Sequence, residues 1–352
     1  MLSIEDFAWS ELFLTSYGLF NIILLFGINT QVYRDVSSNN NLLSLDNIRT
    51  YRNSVYNFLF YNSITLLIFV SILYVFLGQD YLYLLLGLIC SIFYVYTIFE
   101  LCLFQIKRRP KYFLYFNAVF SFLNVIITVL ALSVFNLGYE SRFLGFLVPA
   151  VLFFVILIVF YKPRFLSYGR KEYSGKLFIC FPLFFASIAS WLTESVDKFM
   201  LVELISLEGL AIYSVGYKFG MVMLLLTSAY SRAWMPFVIE NINSREILLK
   251  AIIFSIALMV GLFCVYALSL YYVYPIIVPE AYHSGILVAY IISGAYMLDG
   301  MAKLYNGIFI SLGKQGIYIV TTVISGVGNV ILNFILIPEF GFMGAAYATC
   351  LS

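Results

Sequence analysis

Residues 143–161 read FLGFLVPAVLFFVILIVFY, and residues 162–176, directly after them, read KPRFLSYGRKEYSGK. The first segment holds nineteen residues and no charge. A helix of about 20 apolar residues, rising about 1.5 Å per residue, crosses the roughly 30 Å hydrocarbon core of a bilayer. The second segment carries Lys162, Arg164, Arg170, Lys171 and Lys176. Positive charge of this density between apolar runs marks a loop retained on the cytoplasmic side.

The alternation of apolar run and polar break continues in both directions. Upstream, helices are predicted over 9–33, 55–77, 81–106 and 113–135; downstream, over 177–201, 210–234, 251–274, 285–312 and 317–337. An eleventh begins near Gly341 and meets the chain end at Ser352. Of 352 residues, 63% are hydrophobic and 11% charged, against about 25% charged in an ordinary soluble domain. A soluble fold has no place for that much apolar surface. The runs lack period-2 alternation, which argues against an outer-membrane barrel. The expected fold is therefore all-α and polytopic.

Charge on the loops orients the chain. One set of alternate loops carries sixteen basic residues and the opposite set only Arg142 and Lys198. The first set includes Arg49, Arg52, Lys107 to Arg109, the linker above, Arg232 and Lys250. This asymmetry predicts an outside N-terminus and supports the helix count, since one missed helix would scramble it. The net charge of +2 is a sum over these loops. It gives no reason to expect nucleic acid, whereas contact with anionic membrane lipid follows naturally. The five cysteines lie in apolar segments without a C-x-x-C pair and read as small apolar filler. His283 is the single histidine and falls in a loop.

An internal repeat is visible. Ser3-Ile4-Glu5-Asp6-Phe7-Ala8 parallels Ser206-Leu207-Glu208-Gly209-Leu210-Ala211, each just before a helix that starts from the outside. Leu123-Asn124 and Leu332-Asn333 recur at a similar offset, each followed by a turn and a helix containing Gly145 or Gly344. Such duplication is common in transporters built from two related halves. The expected division is an N-terminal bundle over 1–161, a basic cytoplasmic linker over 162–176 and a C-terminal bundle over 177–352. The second half has a helix ahead of its hexapeptide and the first half has none. The expectation is thus a first helix missing and a last helix incomplete, through truncation at both ends or a partial gene model. No basic segment of signal-peptide type opens the chain.

Charges inside the apolar spans are costly and point to function. Glu100 lies deep in the third helix, Lys218 eight residues into the seventh, and Asp299 with Lys303 midway along the ninth. Asp299 and Lys303, spaced i, i+4, share a helical face and can neutralise one another. At the repeat offset Glu100 corresponds to Lys303, so the halves would present unlike charges to a cleft between them. One reading is a wet cavity in which Lys218 and Lys303 attract an anionic head group while the carboxylates exchange a coupling ion. The other is local pairing. Glu194, Asp197 and Lys198 fall at the outer end of the sixth helix, where charged groups snorkel to water; with Arg232, Asp197 and Lys198 stand as gate or structural positions. Pro149, Pro182, Gly216, Gly220 and Gly300 interrupt helix interiors and read as kinks or close helix contacts. Tyr and Phe are too scattered for a cofactor box; interfacial belts and sugar stacking remain open. The chain shows no phosphate-binding loop, no G-x-S-x-G and no H-E-x-x-H. No cofactor and no enzymatic activity are expected.

Several blocks resemble those of one family. They are Pro182-Leu183, Asp197-Lys198-Phe199, Gly209 to Val215, Ala233-Trp234-Met235-Pro236-Phe237, and the stretch with Asn329, Asn333, Ile337-Pro338, Gly341 and Gly344-Ala345-Ala346. Together they are similar to the Wzx-type polysaccharide flippases of the multidrug/oligosaccharidyl-lipid/polysaccharide (MOP) exporter superfamily. Lys198 stands where that family has Arg, and Leu210 shifts the usual spacing. The resemblance implies two pseudo-symmetric helical bundles around a central cavity, and alternating-access transfer of undecaprenyl-diphosphate-linked oligosaccharide across the bacterial cytoplasmic membrane. It also implies cavity cations at Lys218 and Lys303 and coupling to H+ or Na+. A polymerase or glycosyltransferase partner would fit such a pathway. A multidrug exporter of the same superfamily is the alternative; a membrane glycan polymerase or ligase is disfavoured by the short outer loops.

Overall fold

A computed structural model describes residues 3–29, 31–32, 45–78, 81–107, 109–163, 170–242, 244–312 and 315–352. Side chains are described throughout these except at 45–47, 77, 110, 170–179, 232, 235, 236, 239, 310, 315, 318 and 319. Much of the basic linker 162–176 and the end of the first predicted span thus lie outside the described residues.

The described residues form eleven α-helices and a short 3-10 turn. In chain order the helices are α1 (Ile4–Leu25), α2 (Leu45–Leu77), α3 (Leu82–Ile106), α4 (Pro110–Ser133), α5 (Glu140–Tyr161) and α6 (Arg170–Leu204). They continue as α7 (Leu207–Asn241), α8 (Arg245–Ile277), α9 (Ile286–Ser311), α10 (Gln315–Phe340) and α11 (Phe342–Leu351), with the 3-10 turn Glu280–Gly285 between α8 and α9. Nine helices among the described residues are long and apolar enough to cross a membrane. The sequence reading has ten complete spans; the remaining one, 177–201, falls in α6, of which the side chains of 170–179 lie outside the described residues.

Helix starts follow local chemistry. Ser3 caps α1 by accepting a hydrogen bond from the Asp6 N–H at 3.0 Å. Ser206 caps α7 in the same way, from the Gly209 N–H at 3.1 Å. Acidic residues occupy both first turns, Glu5 and Asp6 in α1 and Glu208 in α7, where they face the positive end of the helix dipole. The repeated hexapeptides are therefore two copies of one helix-start device. Between α10 and α11 the chain turns at Gly341, whose φ of +61° favours a residue without Cβ.

The chain divides into two compact units, Met1–Ile188 and Ala189–Ser352, with the boundary inside α6. In the first unit α1 packs mainly on α3, and α5 packs on α3 and α4. Its core is built from Leu24, Ile28, Tyr56, Leu59, Leu88, Val95, Phe99 and Leu157. In the second unit α7 and α9 form the most extensive helix pair, with α8, α10 and α11 around α9. Here Gly216 and Gly220 act as contacts rather than kinks. A Cβ at Gly216 would lie 2.3 Å from the Gly285 carbonyl, and one at Gly220 2.5 Å from Ile292. The i, i+4 glycines let two helix backbones approach closely, a common way to join helices in lipid.

The outward surface is apolar. Phe122, Val125 and Val129 on α4, and Ile253, Val265, Leu268 and Ile276 on α8, are exposed, Ile276 to 82%. An apolar surface of this extent suits hydrocarbon as its solvent. The molecule is a multi-pass membrane protein.

Candidate functional site

The helical period sets Tyr296, Asp299 and Lys303 along one face of α9. That face meets Ser190, Thr193 and Glu194 of α6, Thr321, Thr322 and Ser325 of α10, and the residues from Thr349 to Ser352 at the end of α11. Together these side chains line a groove of about 580 Å³ that lies wholly within the second unit. Hydroxyl groups dominate its polar wall. Its charged groups are Lys303, Asp299 and Glu194.

Lys303 Nζ lies 2.5 Å from Asp299 Oδ2, and the two side chains remain 33% and 43% exposed. The ammonium is held but not sealed from the groove. Glu194 opens into the same space and feels the charges of Lys303, Asp299 and Lys198. Lys303 is the one cation among the groove's lining residues, and Lys198 reaches Glu194 from outside it.

Tyrosines brace the groove from behind. The Tyr217 and Tyr296 hydroxyls are 2.6 Å apart, and the Tyr217 hydroxyl donates to the Glu194 carbonyl at 3.1 Å, tying α7 and α9 to α6. Asp197, one turn beyond Glu194, is fully buried. Its carboxylate accepts from the Tyr213 hydroxyl and, at 2.8 Å, from the Lys198 N–H. Asp197 does not snorkel as its place near the helix end suggested, because these donors replace water around its charge. The Lys198 ammonium stands 5.4 Å from the Tyr217 ring centre. Near the groove Asn333 donates to Asn329 at 2.8 Å, and both side chains are buried.

The other candidates are not among the groove's described lining residues. Lys218 is exposed on a face of α7 shared with Met221, Val222 and Leu225, and is not among the groove's lining residues. Arg232 belongs to α7, but its side chain lies outside the described residues. Glu100 belongs to the first unit and is fully buried. Arg52 Nε donates to its Oε1 at 2.5 Å and Arg52 Nη2 to its Oε2 at 3.1 Å. The Tyr56 hydroxyl adds a third bond at 3.0 Å, and the Arg52 guanidinium rests 3.6 Å from the centre of the Tyr161 ring. Glu100 is therefore a paired core carboxylate and does not line the groove of Lys303. Burial, and after it the neighbouring Arg52 charge, pulls Lys107, just past the end of α3, below the usual lysine pKa.

Two site features escaped the sequence reading. The sequence places Arg52 in the loop before a span that begins at residue 55, whereas α2 starts at Leu45 and carries Arg52 into a buried position. The second is Glu194, which by its place near the helix end reads as a snorkelling charge. Its signal was the i, i+3, i+4 spacing of Ser190, Thr193 and Glu194, a polar stripe along an otherwise apolar helix. Among the described residues no three of His, Cys, Asp or Glu are grouped to hold a metal ion.

Solved structures share this fold. The chain is similar to the lipid II flippase MurJ in an inward closed conformation, with a TM-score of 0.73 and 17% identity over 99% of this chain and 79% of that one. It is as similar in shape to a multidrug resistance MATE family transporter in an inward-facing conformation: TM-score 0.73, 13% identity, 99% and 89% of the two chains. A MOP superfamily transporter from Pyrococcus furiosus gives a TM-score of 0.59 at 13% identity, over 99% and 82%. At such identities the likeness is one of fold. No curated protein is a significant sequence match. The architecture is the fold that these transporters share. Within it, the profile of one family matches residues 1–242, and the chain belongs to that family, the polysaccharide biosynthesis proteins. The motif resemblance to Wzx-type flippases of the MOP superfamily is borne out by this family and this fold.

Proposed function

We propose that the protein moves a lipid-linked oligosaccharide, of undecaprenyl-diphosphate type, across the bacterial cytoplasmic membrane by alternating access, for polysaccharide export. A glycan cannot enter hydrocarbon unaided, since each unpaired hydroxyl taken from water into an apolar medium costs several kcal/mol, about 4–8 on the harshest scale. The observation that carries this reading is the hydroxyl-lined groove at Lys303 and Asp299, a polar surface inside an otherwise apolar bundle of a polysaccharide biosynthesis family member. Its side chains replace the water that sugar hydroxyls give up. Lys218, a cation on an otherwise apolar helix face, suits a diphosphate whose lipid tail stays among apolar side chains. The carboxylates Asp299 and Glu194 provide places for a coupling proton or Na+. Asp197, Lys198 and Arg232 act as structural or gating groups toward the ends of α6 and α7, in a chain organised as an N-terminal bundle over 1–161, a basic linker over 162–176 and a C-terminal bundle over 177–352. A polymerase or glycosyltransferase acting on the same glycan would supply or consume its substrate.

Multidrug export is the second reading, favoured by the equal structural likeness to a MATE transporter. Removing the gene distinguishes them. A flippase leaves lipid-linked oligosaccharide accumulating on the cytoplasmic leaflet; a multidrug exporter leaves glycan export intact and changes only tolerance to drugs.

A further inference from the structure

The groove's charges do not balance. Lys303 is already held by Asp299 at 2.5 Å. Glu194, in the same groove, lies in the field of Lys303 and of Lys198, but Lys198 is not a lining residue, so the lining itself carries one cation against two carboxylates. The remaining polar wall is made of neutral hydroxyl and amide groups such as Thr193, Asn306 and Ser325. A volume near 580 Å³ lies within the range of about 300–1,000 Å³ usual for small-molecule sites, so a ligand filling it meets this unbalanced carboxylate at close range. An acidic sugar would place like charge beside Glu194 and gain no free cation in return. An amine-bearing sugar would supply the missing partner, and a neutral sugar would hydrogen-bond to the hydroxyls without electrostatic penalty.

Resting on the reading of this groove as a glycan site, we infer that Glu194 makes it selective by charge: it takes saccharides bearing a free amino group best, neutral saccharides next, and rejects acidic ones. Glu194 is the specificity-determining residue, and the Asp299–Lys303 pair withholds the one cation that would otherwise favour an acid. The diphosphate of the carrier is then met away from this groove.

Binding and transport test separate parts of this. The purified full chain in detergent is titrated calorimetrically with three soluble probes: chitosan disaccharide with free amines, N,N′-diacetylchitobiose, and a uronic-acid disaccharide. Affinity should fall in that order. Glu194→Gln should weaken the amine probe about fivefold, the size of a partly screened ion pair, and bring it level with the neutral probe. Lys303→Gln, which leaves both carboxylates without a cation, should shift preference the opposite way, toward a still tighter amine probe. Tightest binding of the acidic probe overturns the inference. So does an order unchanged by both variants, or failure of all three probes to bind. The same protein in proteoliposomes is then offered lipid-linked forms of the three sugars. Movement of none, with the binding order intact, removes the flippase reading and leaves the selectivity standing.

Discussion

Glu100 shows what a buried charge requires of its neighbours. Its carboxylate lies in the core of the first unit and is tolerated because Arg52 meets both oxygens and Tyr56 adds a third donor. Deleting one partner of such a pair strands the other, at a cost of about 3–5 kcal/mol, whereas replacing both by apolar groups is often neutral. Arg52→Met and Glu100→Leu are each expected to lower the thermal unfolding midpoint in detergent by several degrees. The double variant should recover most of the loss, and a double-mutant cycle reads the coupling directly. The sequence shows Glu100 to be out of place in an apolar run but not which residue answers it. Arg52 is 48 positions away, and an arginine near a helix end can equally turn outward to water. Asp299 and Lys303 were legible because the i, i+4 rule is local; the Arg52–Glu100 pair was not, because it is made by tertiary packing.

At the scale of elements, small residues decide which helices touch. Gly216 and Gly220 bring α7 against the start of α9, and a side chain at Gly216 would meet the Gly285 carbonyl and Val288 at once. Gly216→Leu should cost about 1–3 kcal/mol or more by overpacking, seen as reduced yield of monodisperse protein and an earlier melt. Gly328→Ala is the control: nothing lies within 4 Å of the added Cβ, and alanine is the better helix former by about 1 kcal/mol, so stability should hold or rise. Removal of a helix cap should be milder. Ser206→Ala deletes the bond to the Gly209 N–H, and a loss of about 1 kcal/mol is expected in the same melt. The glycines were visible in the sequence, but a kink and a close contact look alike there. Only the opposing backbone of Gly285 tells them apart. The Ser3 and Ser206 hexapeptides carried their meaning more openly, since capping is a property of the segment itself.

For the whole molecule, hydropathy and loop charge were enough to find the spans, because a bilayer admits few architectures. The predicted segments correspond in order to the eleven helices, with ends that differ where a charged residue is carried inward, as at Arg52. The blocks that pointed to a flippase lie in the second half of the chain, whereas the family profile covers residues 1–242. Residues of the first half thus carry family information in positions too dispersed for short motifs to reveal. The groove itself was half legible: Asp299 and Lys303 stood out as charges in an apolar run, while the hydroxyl residues around them look like ordinary polar substitutions until four helices bring them together.

Reconstitution addresses transport most directly. The protein is placed in vesicles that hold an undecaprenyl-diphosphate-linked oligosaccharide with a fluorophore on its sugar, and a membrane-impermeant quencher is added outside. In vesicles without protein only the outer-leaflet label is lost. A flippase brings the inner-leaflet label within reach, so that nearly all fluorescence should disappear, and Lys303→Ala should slow that second phase. An inner-leaflet population equally protected with and without the protein would contradict the assignment.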